Sequence, residues 1–89
     1  TDLDKALNIG NSILKIDHYN YYGNYYEILA LKAKKEINTA INITNKMLSL
    51  YPIDVMYLTL LGELYWNKDR KYAKKIFKNI LILDPNNIK

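Results

Sequence analysis

The sequence AKKIFKNILILDP at residues 73–85 decides the fold, because two earlier stretches of the chain repeat its pattern. The earlier stretches occupy residues 6–18 and 40–52, so the alanines that begin the three copies are 34 and 33 residues apart. Large aliphatic side chains stand seven, eight and ten residues after each alanine: Ile13, Leu14 and Ile16; Met47, Leu48 and Leu50; and Ile80, Leu81 and Leu83. A nearly constant period of this length predicts stacked helical repeats.

The composition is that of an ordinary soluble domain. The chain has 89 residues, of which 49% are hydrophobic and 25% charged, and a chain this short forms one domain at most. The absence of cysteine excludes disulfides, thiol catalysis and cysteine-bound metals. No apolar run approaches the roughly 18–20 residues that span a membrane, so we expect a soluble protein, with the cytoplasm favoured over other compartments. Because the chain begins at Thr1 rather than methionine, we expect it to be a segment of a longer protein.

Helical spacing of the apolar residues predicts five helices, at about residues 2–15, 24–34, 37–50, 55–66 and 70–83. Asp2 and Asp54 are placed to cap the first and the fourth of them. Gly62 lies inside the fourth predicted helix, where glycine costs about 1 kcal/mol relative to alanine. We therefore expect another backbone to approach closely at Gly62.

Residues 34–38 contain neither glycine nor proline, and two interpretations of this region are open. The apolar and small residues from Tyr26 to Tyr51 alternate spacings of four and three, which is also the pattern of one uninterrupted helix. We favour a tight turn near Lys35, because the polar stretch NKD at residues 67–69 stands at the matching distance before Ala73.

The unit at residues 57–86 has bulky, small and aromatic residues at a fixed set of positions: Leu58, Leu61, Gly62, Tyr65, Ala73, Phe77, Ile80 and Pro85. Through these residues it resembles a tetratricopeptide repeat, in which such a set packs two helices together, although its turn is one residue shorter than the family norm. The preceding unit fits more loosely through Tyr26, Leu29, Ala30, Ala33, Ala40, Met47 and Pro52. These are packing positions, so the resemblance concerns the fold.

The resemblance implies an all-α, right-handed α-solenoid of antiparallel helix pairs, with five helices in a single helical-repeat domain at residues 1–89. Residues 1–18 would be the second helix of a truncated repeat, 19–52 and 53–85 two repeats, and 86–89 the start of a following segment. The first helices of such repeats line a concave groove that binds a peptide or a partner helix. In the family register, the residues facing this groove are Glu27, Leu31, Lys34, Met56, Thr59, Glu63 and Trp66.

Three other surfaces are candidates for contacts. A basic stripe opposite the apolar face of the last helix contains Arg70, Lys71, Lys74, Lys75 and Lys78, and such a stripe could contact phosphates. Five tyrosines near the second helix fit a binding surface and packing between repeats equally well: Tyr19, Tyr21, Tyr22, Tyr25 and Tyr26. Ile82 is apolar where the other copies have Lys15 and Ser49, so we expect the end of the array to be covered by a following repeat or by another chain, for example through self-association.

Residues for catalysis are not assembled in this sequence. The single histidine, His18, has no nucleophile or ligand at suitable spacing, and the three glycines are isolated rather than grouped in a phosphate-binding loop. We therefore expect no enzyme activity, no cofactor and no metal. The favoured hypothesis is a protein-interaction scaffold; the alternatives are a helical-repeat nucleic-acid binder that uses the basic stripe and a purely structural segment of a longer solenoid.

Overall fold

The computed structural model describes residues 5, 8 and 19–85. Within residues 19–85 it contains four helices and no strand: α1 (Tyr21–Ala33), α2 (Ile37–Leu50), α3 (Val55–Tyr65) and α4 (Arg70–Leu83). The predicted bounds of α2 and α4 are confirmed, whereas α1 begins three residues earlier than expected and α3 ends one residue earlier. The predicted first helix, His18 and the segment 86–89 lie outside this part of the chain, apart from residues 5 and 8.

Side-chain caps fix where three of the helices begin. The Oδ1 atom of Asn20 accepts from the amide of Gly23 (2.8 Å), which starts α1 at Tyr21. Asp54 accepts from the amide of Tyr57 (3.0 Å), as predicted, and Asp69 accepts from the amide of Tyr72 (3.1 Å). Each cap satisfies an amide that has no partner inside its helix.

Helix α1 ends in a Schellman motif. The amide of Glu36 donates to the carbonyl of Leu31 (2.9 Å), and the amide of Lys35 donates to the carbonyl of Lys32 (3.0 Å). Lys35 has φ 64°, in the left-handed region that glycine usually occupies in this motif. The chain therefore reverses between α1 and α2. This confirms the predicted turn near Lys35 and excludes a single helix through residues 24–50.

The four helices form two hairpins that lie side by side. Helix α1 packs on α2, α2 on α3 and α3 on α4. At the start of α1, the hydroxyl of Tyr21 donates to Oδ2 of Asp54, which precedes α3 (2.8 Å). Towards the end of α1, Nζ of Lys32 lies 3.1 Å from Oε1 of Glu63 near the end of α3. Helices α1 and α3 therefore run alongside each other in the same direction.

The core lies between the hairpins and within each of them. Its buried members include Ile28, Met47, Tyr57, Leu61 and Ile80. Ala40 and Ala73, the small residues that begin two of the repeated stretches, are fully buried, as close helix packing requires. No helix in residues 19–85 is long and apolar enough to cross a membrane.

Gly62 makes a close approach, but to a side chain and not to a backbone. A Cβ atom placed on Gly62 would lie 2.7 Å from Cζ and 2.9 Å from Cε1 of Phe77. The sequence suggested a second backbone at this point, whereas the three nearest atoms in the structure belong to the ring of Phe77. The hydrogen-only side chain of Gly62 lets the aromatic ring of α4 lie directly against α3.

Candidate interaction surfaces

The first candidate surface is an open groove of about 740 Å³ between α1 and α3, called here the inter-hairpin groove. Helix α1 contributes four residues at helical spacing, and α3 contributes residues from its exposed side. The principal lining residues are Tyr21, Tyr25, Leu29 and Lys32 of α1 and Met56, Thr59 and Glu63 of α3. The groove is thus mainly apolar and aromatic, with a cation and an anion at one end.

The structure places only part of the predicted groove set in this groove. Met56, Thr59 and Glu63 line it, whereas Glu27 and Lys34 do not. Leu31 is only 8% exposed and belongs to the core, so it is not available to a partner. The face of α1 that meets the groove is displaced from the expected one. The residues of α1 that line the groove, from Tyr21 to Lys32, are spaced by four, four and three, which is a helical stripe visible in the sequence.

A cluster of tyrosines holds the start of this groove together. Tyr57 is fully buried, and its hydroxyl donates to the backbone carbonyl of Tyr21. The rings of Tyr21 and Tyr57 meet edge to face with centroids 5.0 Å apart, a favourable aromatic geometry. Tyr25 also contacts Tyr57 edge to face. These three tyrosines therefore pack between the hairpins, while Tyr19, Tyr22 and Tyr26 are exposed.

Burial changes the acidity of two tyrosines in this cluster. It raises the pKa of Tyr21 to about 12, with a further contribution from the hydrogen bond to the carboxylate of Asp54. Burial also raises the pKa of Tyr57 well above its usual value, and electrostatic interactions with Tyr21 and Asp54 raise it further. In both cases the neutral hydroxyl is the form that the fold stabilises.

The second candidate surface is a groove of about 660 Å³ between the end of α3 and α4, called here the end groove. Phe77 lies against Gly62, and Trp66 meets Phe77 edge to face with centroids 6.2 Å apart. Leu81 extends the apolar surface along α4, and Lys74 and Lys78 stand beside it. Trp66, which was predicted for the concave groove, lines the end groove instead. Lys32 and Glu63 line both grooves.

The predicted basic stripe is exposed but does not form one uniform surface. Lys74 and Lys78 line the end groove, whereas Lys71 and Lys75 are exposed on α4 outside it. The guanidinium of Arg70 lies over the ring of Trp66, with Cζ 4.5 Å from the centroid, which is a cation–π contact. Ile82 is among the most exposed apolar residues within residues 19–85.

The part of the chain that the structure describes contains no group of three or more histidine, cysteine, aspartate or glutamate side chains that could hold a metal ion. Comparison of the chain with known protein families, with curated proteins and with solved structures finds no match.

Proposed function

We propose that this chain is a helical-repeat scaffold of the tetratricopeptide type, whose hairpins stack as a right-handed solenoid and whose inter-hairpin groove binds a peptide or helix of another protein. The observation that supports this most strongly is the parallel course of α1 and α3. Their exposed sides meet along one groove, which runs from Asp54 at one end to Glu63 at the other.

The lining of the inter-hairpin groove defines the partner that suits it. Tyr25, Leu29 and Met56 offer apolar area, so the partner needs apolar side chains at the centre of its contact. Lys32 and Glu63 pair with each other at one end, and both are partly exposed. An exposed pair of this kind contributes little to stability, so either residue can exchange its partner for a charged group of a bound peptide.

Selection of binders from a displayed peptide library, followed by affinity measurements, tests this proposal. Met56→Lys changes a groove residue that is 42% exposed, and Ile53→Lys, a matched control, changes a loop residue that is 72% exposed. Both variants add one positive charge, three positions apart. Selected peptides should lose at least tenfold in affinity for Met56→Lys and keep their affinity for Ile53→Lys. Equal losses, or no selectable peptide, would refute the proposal.

Nucleic-acid binding is the second candidate function, and the exposure of all five residues of the basic stripe supports it. Trp66 is an exposed aromatic residue in contact with the stripe, but Arg70 lies over its ring, which competes with stacking of a base on the same face. Binding of labelled single-stranded RNA measured at several salt concentrations tests this function. Several phosphate contacts would produce a steep loss of affinity with salt, and weak binding without that slope would eliminate this candidate.

A further inference from the structure

The two hairpins can be compared position by position. Helices α2 and α4 each have 14 residues, and their starts at Ile37 and Arg70 are 33 residues apart. The inward positions agree in burial, since Ala40 and Ala73 are both buried, as are Met47 and Ile80. The second hairpin therefore repeats the first in register, and each surface position of α4 has a counterpart on α2.

One face of α2 is buried, whereas the corresponding face of α4 is open. On α2, Ile41 is 6% exposed, Thr44 is 0% exposed and Leu48 packs against the core. Their counterparts on α4 are Lys74, Phe77 and Leu81, which line the end groove, and Leu81 is 46% exposed. The neighbours explain this difference. Helix α2 packs against both α1 and α3, whereas the main contact of α4 within residues 19–85 is with α3.

The end groove therefore occupies the place on the second hairpin that α3 occupies on the first. Helix α3 has 11 residues and presents apolar side chains to its neighbours. In the first hairpin, the equivalent place is thus filled by a helix of about three turns. Trp66, Phe77 and Leu81 provide the apolar surface on which such a helix can pack.

The charge of the end groove distinguishes its occupant from α3. Where α2 has Ile41 and Asn45, α4 has Lys74 and Lys78, one helical turn apart on the same side. Within residues 19–85 neither lysine forms an ion pair with a carboxylate. The four helices in residues 19–85 carry only two acidic residues, Glu27 and Glu63, so none of these four has the pair of carboxylates that the two lysines would bind.

We propose that the end groove binds an acidic amphipathic helix of a different protein. The apolar face of that helix packs on Trp66, Phe77 and Leu81, and carboxylates one turn apart on its edge pair with Lys74 and Lys78. The end groove shares Lys32 and Glu63 with the inter-hairpin groove but lies outside the centre of that groove at Tyr25, Leu29 and Met56.

The test uses three synthetic helical peptides of three to four turns with the same leucine face. One carries glutamates one turn apart beside that face, the second carries glutamines there and the third lysines. Trp66 is the only tryptophan of the chain, so its fluorescence reports binding at the end groove directly. The glutamate peptide should shift the emission of Trp66 and bind at least tenfold more tightly than the glutamine peptide.

Two charge-reversal variants locate the contact. Lys74→Glu with Lys78→Glu changes the end groove, and Lys71→Glu with Lys75→Glu makes the same change of charge on the same helix outside it. The first variant should lose at least tenfold in affinity for the glutamate peptide and gain affinity for the lysine peptide. The second should change the affinity less than threefold. Equal losses in both variants would overturn the proposal, because they would indicate attraction to net charge alone.

A variant without a change of charge distinguishes the proposed helix from two other occupants, a second copy of this chain and a nucleic acid. Leu81→Asn reduces the apolar surface at an exposed position, so it should weaken binding of the glutamate peptide without loss of helicity in the protein. Self-association of the wild-type chain that Leu81→Asn abolishes would overturn the proposal in favour of a second copy. If RNA displaces the peptide, and the affinity for RNA falls steeply with salt as phosphate contacts require, the proposal would be overturned in favour of a nucleic acid.

The Met56→Lys variant should bind the glutamate peptide normally, so failure of this proposal is distinguishable from failure of the proposed function.

Discussion

Replacing Lys35 by glycine should stabilise the protein, and the sign of this effect depends on the hairpin turn. Lys35 has φ 64°, and the left-handed conformation costs a residue with a side chain about 1–2 kcal/mol. Glycine avoids that cost but loses about 0.5–1 kcal/mol through the greater freedom of the unfolded chain. Lys35 is exposed, so no packing is lost. We expect a net gain of up to about 1.5 kcal/mol, or a rise in Tm of up to roughly 12 °C for a domain of this size.

Thermal and urea denaturation followed by circular dichroism measure this gain, with Ala33→Gly as the control. Ala33 is exposed and helical, so glycine there should destabilise by up to about 1 kcal/mol. The two substitutions introduce the same residue two positions apart and should have opposite signs. A loss of about 1 kcal/mol for Lys35→Gly would refute the reasoning, because glycine is destabilising in the interior of a continuous helix.

Three further predictions concern the contacts between helices. Tyr57→Phe removes the hydrogen bond to the carbonyl of Tyr21 and should cost about 1 kcal/mol in urea denaturation; an unchanged midpoint would contradict this. The pKa of Tyr21 is raised to about 12, so the unfolded chain loses this proton first, near pH 10. Stability should therefore fall as pH rises from about 10 to 12, and Tyr21→Phe should show a smaller fall; identical pH profiles would exclude this contribution. Gly62→Ala should be at least about 1 kcal/mol more favourable in a Phe77→Ala background than in the wild type, because the added Cβ meets the ring of Phe77; additive effects in the double-mutant cycle would contradict that contact.

The bounds of α2 and α4 could be predicted from the sequence because local signals coincide there. Both helices end two residues before a proline, at Leu50 and Leu83, and the repeated apolar pattern runs through both. The start of α1 was missed because Gly23 and Asn24 are turn-forming types. The structure includes both in the helix, since the side chain of Asn20 caps the amide of Gly23.

The surfaces were harder to predict than the helices, because they depend on which neighbour each face meets. Helix α1 has one face towards α2 and another beside α3, so its apolar pattern alone could not assign Leu31 to the core and Leu29 to the groove. For the same reason, the sequence predicted Trp66 for the concave groove, whereas in the structure Trp66 lines the end groove. A position-by-position comparison of α2 with α4 would have shown Lys74 and Lys78 at positions of Ile41 and Asn45.

Nuclear Overhauser effects between the rings of Tyr21 and Tyr57 provide the most direct test of the paired hairpins. The ring centroids lie 5.0 Å apart although the residues are 36 positions apart in the chain. A single helix through residues 24–50 would instead separate its two ends by about 40 Å. We predict strong ring-to-ring signals together with a break in sequential helical signals at Lys35. Absence of the Tyr21–Tyr57 signals, with helical signals continuing through Lys35, would contradict the paired hairpins and both grooves.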